Sequence, residues 1–245
     1  KPLRLNRDVA VLNAEEEIQN KIWQQSRLME YFNTLPVSQI LIEHMEADDV
    51  IAVLCGLYKD AQKVIISSDK DFFQLLDDTT VLYRPVQKEI LNKKAIVEKF
   101  NIHPTNFTLA RAMAGDKSDN IEGIGGVGLK SAAKRFPFLK EEKSYSISHL
   151  VEYGKKMLEE SDLKIYNSVV EQKELLAENY KIMQLYCSSA SPSSERTIKE
   201  AINNYPLELN KTEMIKMMIQ DGFAEISFDE LFAHMRNIKR TNNEL

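Results

Sequence analysis

The feature that most constrains the fold is the short apolar run Lys63–Ser67 (KVIIS), which polar residues bound on both sides. This run predicts a strand that is buried on both faces. The segment Ala47–Tyr58 before it has the spacing of a helix, and Gln39–Glu43 (QILIE) predicts an earlier strand. Strand, helix and strand in this order, with nearly continuous apolar strands, are typical of a parallel sheet. Thr80–Tyr83 predicts another strand, and Glu89–Leu91 its partner.

Other segments have helical periodicity. Residues 14–33 carry apolar side chains at helical spacing after a Glu-rich first turn, which suits the helix dipole. Lys93–Phe100 and Pro104–Ala114 predict two further helices, and Pro104 suits a first-turn position. After the Gly-rich segment Gly123–Gly128 the chain is helical and charged, except for a polar loop near Ser188–Ser194.

The pattern therefore predicts an α/β protein in two parts. Residues 1–91 would form a parallel-sheet core, and residues 92–245 would form a helical domain. In this second part Met214–Met218 would pack internally. Trp23, on the first helix, would pack against a neighbouring helix or stack on a base.

Composition excludes some classes of protein. The 245 residues are 43% hydrophobic and 28% charged, no segment approaches the ~20 apolar residues of a membrane helix, and the start lacks an apolar signal core. We therefore expect a cytoplasmic protein without a membrane segment.

Cys55 and Cys187 stand in no metal-ligand spacing and are interpreted as buried or incidental thiols. The net charge of −5 argues against nucleic-acid binding, unless the acidic residues are concentrated in a metal site.

Carboxylates are concentrated in three segments, two of which follow predicted strands. These segments contain Glu46, Asp48 and Asp49; then Asp69 and Asp71; then Asp116 and Asp119. Ligands of parallel α/β sheets bind at the carboxyl ends of strands. Carboxylates this close repel each other unless a cation neutralises them, and hard oxygen ligands select Mg²⁺ or Mn²⁺.

The spacing gives each pair a predicted geometry and also a simpler explanation. Glu46 and Asp49 would share a helical face, as would Asp116 and Asp119, and Asp69 and Asp71 would point the same way in an extended chain. Each cluster taken singly could instead be a helix cap or a solvated turn. Seven carboxylates in three such positions favour one shared metal site.

At these residues the sequence resembles the flap endonuclease (5′-nuclease) family, which includes the nuclease domain of bacterial DNA polymerase I and phage 5′-exonucleases of the ribonuclease H type. The resembling segments are Glu46–Asp49, Ser68–Phe72 with Gln74-Leu75, and Gly115-Asp116 with Asp119–Ile121. The resemblance extends from about Gln39 to Arg135 and implies a PIN-like nuclease core followed by a helical domain.

The resemblance also implies two divalent cations, Mg²⁺ or Mn²⁺. Glu46, Asp48 and Asp49 would belong to the first metal group, and Asp69, Asp71, Asp116 and Asp119 to the second. The cations would lower the pKa of a water, orient the scissile phosphate and stabilise the leaving oxygen, giving a 5′-phosphate and a 3′-hydroxyl.

The Gly-rich segment resembles the family's helix-three-turn-helix, here near residues 115–136. Glycines let a backbone approach a phosphate closely, and basic side chains on the next helix add charge without reading sequence. The expected duplex-binding residues are Gly123, Gly125, Gly126, Gly128, Lys130, Lys134 and Arg135. The resemblance further implies that backbone carbonyls of this loop hold K⁺. The simpler interpretation of the glycines is a flexible loop without a binding role.

The sequence departs from the family in its first part. The family's first two motifs, each with an Asp at or near the end of a strand, are absent, because nothing before Gln39 supplies them. Lys1, Arg4 and Arg7 either correspond to the lead into the family's arch or form a frayed terminus. Three explanations therefore stay open: the upstream part is disordered or omitted, it is a separate chain that completes the site, or it is truly absent.

The leading hypothesis is a 5′-3′ exonuclease or flap endonuclease that removes RNA primers or 5′ flaps in replication or repair. The alternative is a catalytically incomplete duplex-binding fragment, or one half of a split nuclease. A related PIN-type nuclease is a third candidate, against which the Gly-rich loop argues. Expected partners are duplex or branched DNA and RNA–DNA hybrid, and a sliding clamp or single-strand-binding protein stays open. A phage origin would place the protein in the host cytoplasm.

Overall fold

A three-stranded sheet of β1 (Lys63–Ile66), β2 (Thr80–Arg84) and β3 (Glu89–Leu91) lies at the centre of the α/β part, in the order β1-β2-β3. The computed structural model describes residues 13–185, 191–204, 208–223 and 227–242. β1 and β2 are parallel, with Ile65 opposite Leu82, and β3 is antiparallel to β2. The predicted parallel pair and its added partner are confirmed.

The two faces of the sheet differ in exposure. Ile65, Leu82 and Leu91 point to one face and are buried in the main core. On the other face Val64 is 60% exposed and Ile66 is 69% exposed. The prediction of a strand buried on both faces is therefore wrong, because only one face of β1 is covered by the described chain.

The described chain forms two compact units, residues 43–195 and residues 1–42 with 196–245. The sheet belongs to the first of these units. Its helices are α2 (Ala47–Leu57), α3 (Lys93–Phe100), α4 (Phe107–Ala114), α5 (Leu129–Arg135), α6 (Ile147–Glu160), α7 (Lys164–Glu171) and α8 (Lys173–Met183). The α/β fold with a small sheet and many helices agrees with the predicted fold class.

Local sequence explains where these helices begin and end. Asn92 caps α3 by accepting a hydrogen bond from the Ala95 N–H, and Asn101 ends it in the left-handed conformation. The predicted helix from Pro104 is divided in the structure. A 3₁₀ turn spans Pro104–Asn106, and α4 follows it with seven buried residues. A buried, almost wholly apolar helix therefore leads into the third carboxylate segment.

The other unit contains α1 (Ala14–Phe32), α10 (Lys211–Gln220) and α11 (Phe228–Asn242), while α9 (Pro192–Asn203) runs across the boundary at residue 195. Asn13 caps α1 in a capping box with Glu16. Leu35, Met214 and Phe232 lie in one small core. The predicted packing of the Met-rich run is confirmed, since Met214, Met217 and Met218 are buried.

A half-buried ion pair links α1 to the end of α10 in this unit. Arg27 Nε donates to Asp221 Oδ2 at 2.7 Å, and the Tyr31 hydroxyl donates to the same oxygen at 2.7 Å. Burial raises the pKa of Asp221, whereas the hydrogen bonds from Arg27 and Tyr31 lower it. The net result is a pKa below the usual value. Residues far apart in sequence thus fix the two helices together.

The predicted strand Gln39–Glu43 is wrong, because this segment has no strand conformation. Leu41 is 90% exposed, and the Gln39 amide donates to Met29 O at 3.0 Å and to Asn33 Oδ1 at 2.8 Å. A strand needs a partner, and no strand of the described residues pairs with this segment. His44, next to it, has a φ of 60°.

Several other predictions are not tested or fall on residues outside the described ranges. The division at residues 91 and 92 stays a prediction, and the compact units run across it. Lys1, Arg4, Arg7 and Cys187 lie outside the described residues, and Cys55 is half-buried. No helix within the described ranges is both long and apolar enough to cross a membrane.

The buried amide of Gln74 holds together the segments around the second carboxylate cluster and α4. Gln74 Nε2 donates to Asp71 O at 2.9 Å and to Met183 O at 3.0 Å, and its Oε1 accepts from Thr108 Oγ1 and Leu185 N. These bonds connect the 3₁₀ turn Asp71–Leu75 with α4 and with the end of α8. A single side chain therefore serves four buried polar groups.

We predict that Gln74→Leu lowers the free energy of unfolding by about 2–4 kcal/mol, because it leaves buried donors and acceptors unpaired. Urea unfolding followed by circular dichroism measures this change. Gln87→Leu is the matched control, since Gln87 is exposed in the turn between β2 and β3. Equal unfolding midpoints for the two variants would show that the Gln74 contacts contribute nothing.

Candidate functional site

Asp69 and Asp71 lie on a tight turn directly after β1. The Asp71 N–H donates to Asp69 Oδ1 at 2.9 Å, and the Asp69 N–H donates to Ser67 Oγ at 3.1 Å. Lys70 has helical backbone angles, and Asp71 begins the 3₁₀ turn. The expected extended pair is therefore wrong, because the turn closes on Asp69 itself. Asp69 is exposed, whereas Asp71 is half-buried.

Asp116 and Asp119 lie on a closed loop after α4 and do not share a helical face. The backbones of Asp116 and Ile121 exchange two hydrogen bonds of 2.8 Å, and Asn120 between them has a φ of 55°. Asp116 Oδ1 accepts from the Ser118 N–H at 2.8 Å. The predicted helical geometry is wrong here, since the side chain of Asp116 bonds its own loop in place of a helix.

Arg111 joins the two clusters. This residue of α4 is only 9% exposed. Its Nη2 donates to Asp71 Oδ1 at 2.7 Å and also to Asp116 Oδ2. A buried guanidinium thus lies between one carboxylate that follows β1 and one that follows α4. The two segments meet at this point, although they are 40 or more residues apart in sequence.

The pKa of Asp71 depends on the charges of the other three predicted carboxylates of the second group. Burial raises the pKa of Asp71, Arg111 lowers it, and the charges of Asp69, Asp116 and Asp119 raise it further. By contrast, hydrogen bonds from Ser118, helped by Arg111, lower the pKa of Asp116 to about 2. The structure therefore brings these four residues within electrostatic reach of one place.

The predicted first group forms a separate cluster at the start of α2. Glu46 occupies the N-cap position but makes no side-chain capping bond. Burial and the charge of the neighbouring Asp48 raise the pKa of Asp49, while a hydrogen bond from the Glu46 backbone lowers it. Simple helix capping by Glu46 therefore does not explain this cluster, and its assignment to a metal stays a prediction.

The donor set of the second group suits a hard divalent cation, because every predicted ligand is a carboxylate oxygen. The positive charge that these carboxylates need is supplied by Arg111. In the part of the chain that the structure describes, no three carboxylate, imidazole or thiol side chains are close enough to hold a metal ion together. Asp71 and Asp116 thus fit a cation by chemistry and charge, in an arrangement now closed around a guanidinium.

Two glycines shape the loop that leads from this cluster to α5. A Cβ on Gly123 would lie 2.3 Å from the Ala114 carbonyl carbon, and Gly115 has a φ of 70° with Gly123 N 2.4 Å from where its Cβ would be. Only glycine permits this approach of the two backbones. The Asn179 amide, which donates to Ala112 O at 3.0 Å and Glu122 O at 2.8 Å, holds α8 against the same loop.

The rest of the Gly-rich segment is accessible. Gly125, Gly126 and Gly128 are exposed, and Gly126 has a φ of 78°. Ser131 closes the start of α5 by accepting from the Gly128 N–H at 2.9 Å. α4 ends at Ala114 before this loop, and α5 begins after it at Leu129. The helix-three-turn-helix near residues 115–136 stays a prediction.

Basic side chains accompany this loop. Lys130 and Lys134 are exposed on α5. A cleft of about 280 Å³ is lined by residues of the loop, of α5 and of the start of α7, among them Gly125, Arg135 and Lys164. The binding of nucleic acid by these residues stays a prediction, although the cleft presents backbone and cationic groups together.

Sequence reasoning missed Arg111, Ser118 and Lys164. Arg111 had a visible signal, because it is the single charged residue in the segment Phe107–Ala114 (FTLARAMA). A lone charge in a buried helix needs a partner, and carboxylates five residues later offer one. Lys164 had no such signal, because only the folding of α7 against the loop brings it to the cleft.

Known proteins resemble this chain in sequence. A family model described as "5'-3' exonuclease, N-terminal resolvase-like domain" matches residues 12–101. A 5'-3' exonuclease of Aquifex aeolicus is 31% identical over 194 residues, which are 76% of this chain and 63% of that protein. The thermostable DNA polymerase I of Thermus aquaticus is 33% identical over 116 residues, which are 45% of this chain and 14% of the polymerase.

Solved structures resemble the fold. A structure of the T5 5'-exonuclease with zinc has a TM-score of 0.64 at 19% identity, covering 79% of this chain and 73% of that one. The T5 D15 flap endonuclease (D155K) in a pseudo-enzyme-product complex has a TM-score of 0.58 at 19% identity, covering 85% and 73%. At this identity the likeness shows the fold alone, and it confirms the predicted nuclease core with a helical domain.

The chain is similar in sequence to proteins named 5'-3' exonucleases and similar in fold to the T5 5'-exonuclease. It spans 63% of the Aquifex relative and 44% of a Buchnera aphidicola relative.

We predict that Ser118→Ala raises the pKa of Asp116 from about 2 toward its ordinary value, because the Ser118 hydroxyl is the main cause of the lowering. Carboxyl carbon NMR of the metal-free chain measures the titration. Since the pKa of Asp116 in the folded chain lies below its ordinary value of 3.8, the stabilisation by Asp116 is present above that value and is lost as the pH falls to about 2.

The control is Ser144→Ala, because Ser144 is an exposed serine outside the cluster. An unchanged pKa for Asp116 in Ser118→Ala, or an equal rise in the control, would contradict the role given to this hydroxyl.

Proposed function

We propose that the complete protein is a divalent-metal-dependent 5′-nuclease, a 5′-3′ exonuclease or flap endonuclease that hydrolyses phosphodiesters and removes RNA primers or flaps. One observation carries the proposal. The carboxylates of Asp71 and Asp116, which come from two distant segments, converge on one buried point with Asp69 and Asp119 in electrostatic reach. Such convergence is expected of a cation site and not of independent solvated turns.

The residues of this chain would divide the work. Asp69, Asp71, Asp116 and Asp119 would hold a cation, either Mg²⁺ or Mn²⁺, and Glu46, Asp48 and Asp49 would contribute to a second one. The chemistry that such cations supply is the activation of water and the stabilisation of charge on the phosphoryl oxygens. Hydrogen bonds from Ser118 lower the pKa of Asp116 to about 2, so this carboxylate would be ionised and able to bind a cation at physiological pH.

The loop and α5 would hold the duplex beside the carboxylates. The loop begins at Gly115, next to Asp116, so the cation site and the exposed Gly125 and Gly126 belong to one continuous segment. Lys130, Lys134 and Arg135 would contact phosphates, and K⁺ at the loop carbonyls is part of the same proposal. A neighbour in complex with DNA and metal ions supports DNA as the substrate class.

Further parts of the proposal concern the cell. The named relatives support a place in DNA replication or repair, with duplex or branched DNA or an RNA–DNA hybrid as partner. The proposal extends to a cytoplasmic location. It also extends to a sliding clamp or a single-strand-binding protein as partner.

A second candidate is a duplex-binding chain that does not cleave alone, or one half of a split nuclease. The exposed apolar face of the sheet favours it, since Val64, Ile66 and Ile90 are each at least 60% exposed. Parallel sheets are usually covered on both faces, so a further polypeptide segment would fit there. This candidate keeps the metal site and the duplex grip, but not cleavage by this chain alone.

We predict that the chain binds Mn²⁺ and that Asp69→Asn plus Asp71→Asn abolishes this binding, as measured by calorimetry. Cleavage of a labelled 5′-flap duplex in Mg²⁺ should fall about 100-fold or more, because even outer partners of metal ligands are worth about 10–100-fold. The matched control is Asp60→Asn plus Asp162→Asn, both exposed and outside the cluster.

Unchanged Mn²⁺ affinity in the site variant would refute the metal assignment. If Mn²⁺ binds but no flap is cut, the duplex-binding candidate replaces the nuclease for this chain.

We also predict that Lys130→Ala weakens duplex binding and lowers the slope of log affinity against log salt by about one unit, since one phosphate contact is lost. Fluorescence anisotropy at several salt concentrations measures this slope. Lys94→Ala is the control, because Lys94 is exposed on α3. Equal slopes for both variants would remove Lys130 from the interface.

A further inference from the structure

The contact between Arg111 and two carboxylates has an unusual form. Both Asp71 Oδ1 and Asp116 Oδ2 accept from the same nitrogen, Nη2 of Arg111. In the common bidentate pair, by contrast, two nitrogens of the guanidinium face two oxygens of one carboxylate. Here the oxygens of two different residues converge on a single positively charged point.

That point is where a shared cation would lie. Asp71 Oδ1 is 2.7 Å from Nη2, and Asp116 Oδ2 accepts a hydrogen bond from the same nitrogen. Mg²⁺ holds its oxygen ligands at about 2.0–2.1 Å, so a cation bound by both oxygens would occupy the volume of Nη2. The guanidinium and the cation therefore cannot be there together.

We propose that Arg111 is an internal counter-cation that holds Asp71 and Asp116 together in the metal-free chain and is displaced from between them when a divalent cation binds. The inference rests on the proposed metal-dependent function, and it adds a competitor that the cation must overcome. Arg111 acts through the carboxylates and is a positioning residue.

The surroundings of Arg111 agree with a group held by charge. Its Nε is buried and has no hydrogen-bond partner in the described structure. A guanidinium has five N–H donors, and a purely structural buried arginine normally satisfies them. Because one donor is already unpaired, the anchoring of Arg111 depends on the two carboxylates, which a divalent cation would take over.

The remaining charges favour exchange. Asp69 and Asp119 add negative charge near Asp71, and one guanidinium neutralises only part of the total. A divalent cation carries twice the charge in the same place. The exchange would therefore lower the repulsion among the four carboxylates further than Arg111 does.

The test compares Mn²⁺ binding by the full chain and by Arg111→Met, which removes the charge and keeps much of the volume. Calorimetry should give an affinity about tenfold higher for Arg111→Met, and the rise in Tm on adding Mn²⁺ should be larger than in the unmodified chain. An affinity that is equal or lower would overturn the proposal and leave Arg111 a structural ion pair.

Two controls separate the possible causes. Arg196→Met removes an arginine whose side chain is 77% exposed, and it should bind Mn²⁺ as the unmodified chain does. Asp69→Asn plus Asp71→Asn should not bind Mn²⁺ at all. If that double variant still binds, the proposed metal site fails; if it does not bind but Arg111→Met is unchanged, only the counter-cation role fails.

A measurement on the unmodified chain decides the matter if Arg111→Met does not fold. The guanidinium signals of labelled arginine are followed by NMR during titration with Mg²⁺. We expect the Arg111 signals to shift and their hydrogen exchange to accelerate as Mg²⁺ saturates the site. Unchanged Arg111 signals at saturating Mg²⁺ would contradict displacement.

Discussion

The ion pairs of Arg111 with Asp71 and Asp116 are the interaction on which the candidate site depends. Two half-buried carboxylates repel each other, and burial alone raises the pKa of Asp71. A positive charge between them is therefore needed, and Arg111 on the buried helix α4 supplies it in the described structure. The segment after β1 and the loop after α4 are held at one place by this charge.

Neutral hydrogen bonds support the same place from outside. Gln74 ties the turn after Asp71 to α4 and to the end of α8, and Asn179 ties α8 to the loop. Gly115 and Gly123 then allow the loop to fold back on α4 without a side chain between the backbones. Charge brings the carboxylates together, while these amides and glycines fix the elements that carry them.

The sequence predicted the parts that depend on local pattern. The strand at Lys63, the helices and the Gly-rich loop follow from periodicity and from glycine placement. The strand expected at Gln39–Glu43 is absent, because pairing depends on a partner that local pattern does not show. Asp116 and Asp119 were expected on a helical face, but Ser118 and Asn120 close a loop there. Arg111 was visible as a lone charge in an apolar helix, but its contact with Asp71 arises only when distant segments meet.

A crystal structure of the chain, grown with Mn²⁺ and measured at an anomalous wavelength, would show whether Asp71 and Asp116 bind one cation between them. The claim is that Asp71 and Asp116 form one cation site with Arg111 as the present counter-charge. We expect an anomalous peak between the two carboxylates, with the Arg111 guanidinium moved away from it. No peak there, with Arg111 still bonded to both carboxylates at saturating Mn²⁺, would contradict it.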